Sequence, residues 1–115
     1  MKVVVYGAGY VGLVTGTGLA ELGNHVTMVD IDAARVTALG RGEMPIFEPG
    51  LAELIERNRR QERLLFSTEL PQTLATAEFY FIAVATPPSQ DGTADTRAVF
   101  EVAKTIARTA KSWCR

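Results

Sequence analysis

The residues able to do chemistry fall in three short stretches. Gly7-Ala8-Gly9-Tyr10-Val11-Gly12 has the spacing GxGxxG. Gly7 permits a tight turn, Gly9 leaves no Cβ in the way of a pyrophosphate, and Gly12 lets a helix pack close to the preceding strand. Such a hexapeptide occurs by chance. It gains meaning here because a strand-like run, Val3 to Tyr6, leads directly into it and helical spacing follows. The helix start would offer free N–H groups and the positive end of its dipole to phosphates. The second stretch holds Asp30, 18 residues after Gly12. An acid at the end of a second strand can accept from the hydroxyls of an adenosine ribose, and its charge repels a 2′-phosphate, so NAD is favoured over NADP. Arg35 is near enough along the chain to approach the same ribose or a 2′-phosphate. Asp32 is the better helix cap, which leaves Asp30 for the ribose. The third stretch is Thr86-Pro87-Pro88, after a fourth strand. Its hydroxyl is expected to face the nicotinamide side of the cofactor. S-adenosylmethionine sites also combine a glycine loop with an acidic strand end. The position of Gly12 and the Thr86-Pro87 loop argue against that alternative.

Composition narrows the classes. A chain of 115 residues, 47% hydrophobic, suits one domain of about 100–150 residues. Twelve Lys and Arg against thirteen Asp and Glu give a net charge of −1, which speaks against a nucleic-acid partner. One Cys and one His exclude an intramolecular disulfide framework and any multi-cysteine zinc site. No apolar run approaches the roughly 18–20 residues of a membrane span. Gly7 and Gly9 interrupt the apolar N-terminus before it can serve as a signal peptide. The expectation is a soluble, cytoplasmic protein with no membrane partner. The basic run Arg57 to Arg63 is read as a solvated helix end. His25, at the start of a strand, is read as structural.

These residues need elements to position them. The apolar run 3–6 predicts a buried parallel strand. Val11, Val14, Leu19 and Leu22 recur at helical spacing and predict a helix over 10–22. A strand over 25–30, a helix over 33–40 capped by Asp32, and a helix over about 50–60 with Pro49 in its first turn follow. Then come a strand over 64–67, a short helix over 71–76, a strand over 79–84, and a helix from a cap at Asp95 to about residue 110. Gly16 and Gly18 inside the first helix each cost about 1 kcal/mol relative to Ala. Close packing against the sheet is the expected reason for both. The pattern is that of an α/β fold: a Rossmann-type doubly wound parallel sheet with helices on both faces, in strand order 3-2-1-4. The Gly7–Gly12 loop and the Ala85–Gly92 loop then face each other across the winding reversal.

The combined series resembles the N-terminal domain of the UDP-glucose/GDP-mannose dehydrogenase family. It consists of Gly7 to Gly16, Val29-Asp30-Ile31-Asp32, Pro45-Ile46-Phe47-Glu48-Pro49-Gly50-Leu51, Ala85-Thr86-Pro87-Pro88, Asp91-Gly92 and Ala94-Asp95. The likeness covers nearly the whole chain. It implies an enzyme that oxidises the C6 alcohol of a sugar nucleotide to a carboxylate, with two NAD reduced per turnover. UDP-glucose is the implied substrate of the full-length enzyme, with GDP-mannose as the alternative. Cofactor contacts carry over to the loop around Tyr10 and Val11, to Asp30 and Arg35, and to Thr86. Glu48 receives no role. Ala85 stands where many members have Gly.

The resemblance also implies a catalytic Cys, assisting Lys and Asn, and a sugar-nucleotide pocket that residues 1–115 do not supply. Cys114 does not match the nucleophile. The expectation is an incomplete N-terminal NAD-binding domain, cut after the fourth strand and its helix, without the central helix and C-terminal sugar-nucleotide domain. Such a fragment would be inactive alone, with the fourth strand as an exposed edge. A homodimer is one assembly left open. A stand-alone nucleotide-binding module is the reading from another class.

Overall fold

Val3, Val4 and Val5 are all buried, as befits a strand covered on both faces. They form the middle of β1 (Lys2–Tyr6) in a computed structural model that describes residues 1–44, 47–69 and 77–109. The elements that follow are α1 (Tyr10–Glu21), β2 (His25–Val29), α2 (Ala33–Gly40), α3 (Leu51–Arg60), β3 (Leu64–Ser67), β4 (Phe79–Ile82) and α4 (Arg97–Thr109). All pairings are parallel, as the alternation of strands and helices predicts, and the sheet order is β3-β2-β1-β4, the order expected of a Rossmann-type sheet.

Alternate residues of β1 feed two cores. Val3 and Val5 join Leu13, Met28, Leu39, Leu51, Ile55 and Leu64 on the face covered by α1, α2 and α3. Val4 and Tyr6 join Val29, Tyr80, Val102 and Ile106 on the α4 face. Helices therefore cover both faces of the sheet. The short helix expected over 71–76, Pro45 and Ile46 of the loop, and Cys114 all lie outside the described residues.

The structure corrects the packing of α1. The helix is present, but its buried residues are Gly12, Leu13, Gly16, Thr17 and Ala20. Val11 is 65% exposed and Leu22 is 81% exposed. The helix lies so close to the sheet that small residues fill the contact. A Cβ on Gly12 would sit 1.8 Å from the Gly7 carbonyl oxygen, and one on Gly16 would meet Met28 Sδ at 3.0 Å. Gly18 is different. It is exposed, and a Cβ there would meet nothing within 4 Å. Tight packing explains Gly16 and not Gly18.

Two smaller corrections concern boundaries. Pro49 precedes α3 rather than entering it, and Gly50 is the N-cap in the left-handed region, with φ 82°. β4 ends at Ile82, two residues short of the predicted end. The basic run is largely paired internally. Arg57 bonds Glu21, Arg59 and Arg60 bond Glu56, and Arg63 bonds Asn58. This is the solvated helix end the sequence predicts.

Candidate functional site

The glycine loop takes its shape from contacts with two neighbouring strands. Gly7 adopts φ 105°, and its N–H donates to the Val29 carbonyl at 2.7 Å. A Cβ on Gly7 would lie 2.5 Å from the Ala83 carbonyl oxygen. The turn therefore tolerates no side chain. Gly9 is the N-cap of α1, and no described residue other than its chain neighbours comes within 4 Å of the position its missing Cβ would take. Gly9 contributes no capping side chain, and the first turn of α1 contains no acidic residue. The first-turn N–H groups of a helix have no acceptor within it. This end of α1 thus presents donors and a positive dipole beside open space.

Asp30 stands one residue beyond β2, with its side chain only 9% exposed. Oδ2 accepts the Ala8 N–H at 2.8 Å and Arg35 Nη1 at 3.2 Å. Oδ1 accepts the Asp32 N–H at 2.9 Å. Burial pushes the carboxyl up, but the Ala8 and Asp32 N–H groups and the Arg35 guanidinium outweigh burial and hold it below the usual carboxylate range. Asp30 is a turn former as well as a candidate ligand group. Asp32 caps α2 by accepting the Arg35 N–H at 3.1 Å, as predicted.

The opposite wall is the segment after β4. Pro88 bridges to Ala94, and Ser89 N–H donates to the Thr93 carbonyl at 2.6 Å. Asp91 accepts the Thr93 hydroxyl at 2.7 Å and its N–H at 3.0 Å. Asp95 accepts the Arg97 guanidinium at 2.6 Å and its N–H at 3.1 Å, which hold its carboxyl at about 2. Asp95 braces the start of α4 from one residue before the N-cap position, which Thr96 holds with its carbonyl accepting the Phe100 N–H, so the predicted cap is displaced by one residue.

Between these walls runs a cleft of about 800 Å³. Gly7, Gly9, Tyr10, Val11, Asp30, Arg35 and Thr86 all line it, together with Ala85. Gly12 is not among the lining residues; it is buried beneath the loop, where its absent side chain permits the contact with Gly7. The sequence reading missed Ala98, Glu101 and Val102 of α4, which also line the cleft. Their i, i+3, i+4 spacing was the available signal. It also missed the link from Tyr10 Oη to Glu48, at 3.0 Å. His25 begins β2 and is not among the residues lining the cleft. Those lining residues include no Cys, His or Lys.

A family model described as the NAD binding domain of the UDP-glucose/GDP-mannose dehydrogenase family matches residues 1–114. The chain belongs to the UDP-glucose/GDP-mannose dehydrogenase family. The match is to its NAD-binding domain, and NAD is the cofactor. Among relatives of this family, the chain is 48% identical to UDP-glucose 6-dehydrogenase YwqF of Bacillus subtilis, over 96% of this chain and 25% of that protein. It is 46% identical to the UDP-glucose 6-dehydrogenase of Pseudomonas aeruginosa, over 99% of this chain and 25% of that one. A solved UDP-glucose dehydrogenase from Pyrobaculum islandicum superposes with a TM-score of 0.87 at 39% identity, covering 94% of this chain and 25% of the other. A GDP-mannose dehydrogenase from Pseudomonas aeruginosa superposes with a TM-score of 0.90 at 29% identity, over 100% and 26%. The chain spans about a quarter of the length of the curated relatives it matches.

The residues present fit the family's cofactor. No described residue beyond its chain neighbours crowds Gly9, the first turn of α1 carries no acidic residue and no capping side chain, and a carboxylate stands at the end of β2. The described residues contain no helix long and apolar enough to cross a membrane. Nor do they contain a group of three or more His, Cys, Asp and Glu suited to a metal ion.

Proposed function

We propose that this chain is the NAD-binding part of a UDP-glucose 6-dehydrogenase, which oxidises UDP-glucose to UDP-glucuronate with two NAD. The observation that carries the reading is the Ala8 N–H to Asp30 Oδ2 bond at 2.8 Å, which ties the phosphate-side loop to the ribose-side carboxylate. In this reading the first turn of α1 binds the diphosphate, with Gly9 giving it access. Asp30 accepts from the adenosine ribose and its charge turns away a 2′-phosphate. Arg35 is held against Asp30 rather than offered to a phosphate. Thr86 and the backbone of Tyr10 and Val11 border the remaining length of the cofactor. When bound, NAD supplies the hydride acceptor.

The reaction needs a nucleophile that this cleft does not contain. We assign it, with the sugar-nucleotide pocket, to the part of the relatives that this chain does not span. Turnover is accordingly proposed to need that part together with this chain. A GDP-mannose 6-dehydrogenase is the second reading, favoured by the 0.90 superposition. Identities of 46–48% to UDP-glucose enzymes, against 29%, weigh for the first. The same reading takes the protein as cytoplasmic and leaves a homodimer to be tested by light scattering.

Calorimetric titration of the chain with NAD, NADP and S-adenosylmethionine tests the site. Selective NAD binding is expected. A folded chain that prefers S-adenosylmethionine would sink the dehydrogenase reading, and one that binds none of the three would sink the cleft assignment.

A further inference from the structure

The segment Glu48-Pro49-Gly50-Leu51 is the one conspicuous stretch that cofactor binding leaves unused. Its geometry is that of a type II turn. Pro49 takes the second position, Gly50 the third with φ 82° and ψ −13°, and Leu51 N–H donates to the Glu48 carbonyl at 3.1 Å. Leu51 is 5% exposed and anchors the turn in the core. A turn fixed at that end has a defined exit for Glu48. Its carboxylate accepts the Tyr10 hydroxyl at 3.0 Å, across 38 residues of sequence.

Tyr10 is the first residue of α1 and is 54% exposed. Beside it lies Gly9, whose missing Cβ position no residue other than its chain neighbours Ala8 and Tyr10 approaches within 4 Å, so among the described residues the side chains able to cover it are those two. An aromatic ring at that position, if unrestrained, can rotate over the glycine and obstruct the backbone that a diphosphate must reach. We propose that Glu48 is a positioning residue for dinucleotide binding, acting through Tyr10: it accepts the phenol hydroxyl and holds the ring away from the approach over Gly9. This rests on the NAD reading of the cleft. The hydrogen bond and then the charge of Glu48 also push the Tyr10 phenol to ionise at higher pH than usual, which gives the contact its own spectroscopic signature.

The test is a double-mutant cycle on the chain, with NAD affinity read by calorimetry. Glu48→Ala and Tyr10→Phe each weaken NAD by about 3- to 10-fold, the range of a single exposed charge-assisted hydrogen bond. The double variant is no weaker than either single one, because both remove the same contact. Glu48→Gln, which keeps an acceptor oxygen but not the charge, loses less affinity than Glu48→Ala. Alkaline difference spectroscopy, with Tyr10→Phe as the reference, shows the Tyr10 phenol ionising at lower pH in Glu48→Ala. Additive losses, a Glu48→Gln as weak as Glu48→Ala, or unchanged affinity in Glu48→Ala would each overturn the positioning role while leaving the NAD site standing. A parent chain that binds no NAD would overturn both. A Tyr10 ionisation unmoved by Glu48→Ala would overturn the contact itself, whatever the cofactor result.

Discussion

Asp30 joins the fold to the ligand, and its substitution therefore has two effects. Asp30→Ala removes the acceptor for the Ala8 and Asp32 N–H groups and for Arg35. Hydrogen bonds to a charged group contribute about 1.5–3 kcal/mol, so NAD affinity is expected to fall by roughly 10- to 100-fold in a calorimetric titration. The same change releases Arg35, and the ratio of NADP to NAD affinity should rise. Unchanged affinity would mean that the ribose lies elsewhere. The pH dependence has a definite sign. The native carboxyl sits below the ordinary value of about 3.9. Its contribution to stability is therefore fully present above that value and is lost as pH falls through the lower native one. Asp30→Asn should be less stable than the parent at pH 7, and the gap in urea melts should close below about pH 4. A gap that widens in acid would contradict the assignment of the bonds.

Within α1, three positions separate fold from function. Gly18 is exposed, with room for a Cβ, so Gly18→Ala should raise stability by about 1 kcal/mol through helix propensity alone. Gly12→Ala forces a Cβ onto the Gly7 carbonyl and should cost about 3 kcal/mol or more, with loss of NAD binding. Thr17 is fully buried, and its hydroxyl has no hydrogen-bond partner among the described residues. Thr17→Val keeps the shape and removes that liability, for a gain of about 1 kcal/mol in a thermal melt. These positions also mark what the sequence could reveal. Val11, Val14 and Leu22 reported a helix through their period but not its buried side, because contact this close is made by Gly, Thr and Ala. Gly7, Gly9 and Asp30 were legible because turn, open approach and strand end are local properties. The Ala8 bond to Asp30 and the Tyr10 bond to Glu48 were not, since each joins residues 22 and 38 apart that only the folded sheet brings together.

At the scale of the whole molecule, parallel pairing followed from alternation and the order from the usual Rossmann arrangement, while the margins of the sheet followed from neither. β4 forms one margin of the described sheet, and Phe79 and Phe81 stand on it 51% and 40% exposed, ring centroids 6.5 Å apart. A strand of four apolar and aromatic residues without a charge is an invitation to pair. Sedimentation velocity should show the chain associating as concentration rises, and Phe81→Lys should suppress the association; a monomer at all concentrations would show that this margin is inert. β4 also leads into the Thr86 wall, whereas Asp30 and the glycine loop belong to the sheet's interior. The two sides of the cleft therefore differ in how often they unfold locally. In hydrogen exchange, amides of β1 and β2 should open only with the whole molecule, and those of β4 through a cheaper partial opening. A dinucleotide clasped by both sides forbids that partial opening. Its largest protection should thus fall on the strand at the margin, away from the residues that grip it most tightly.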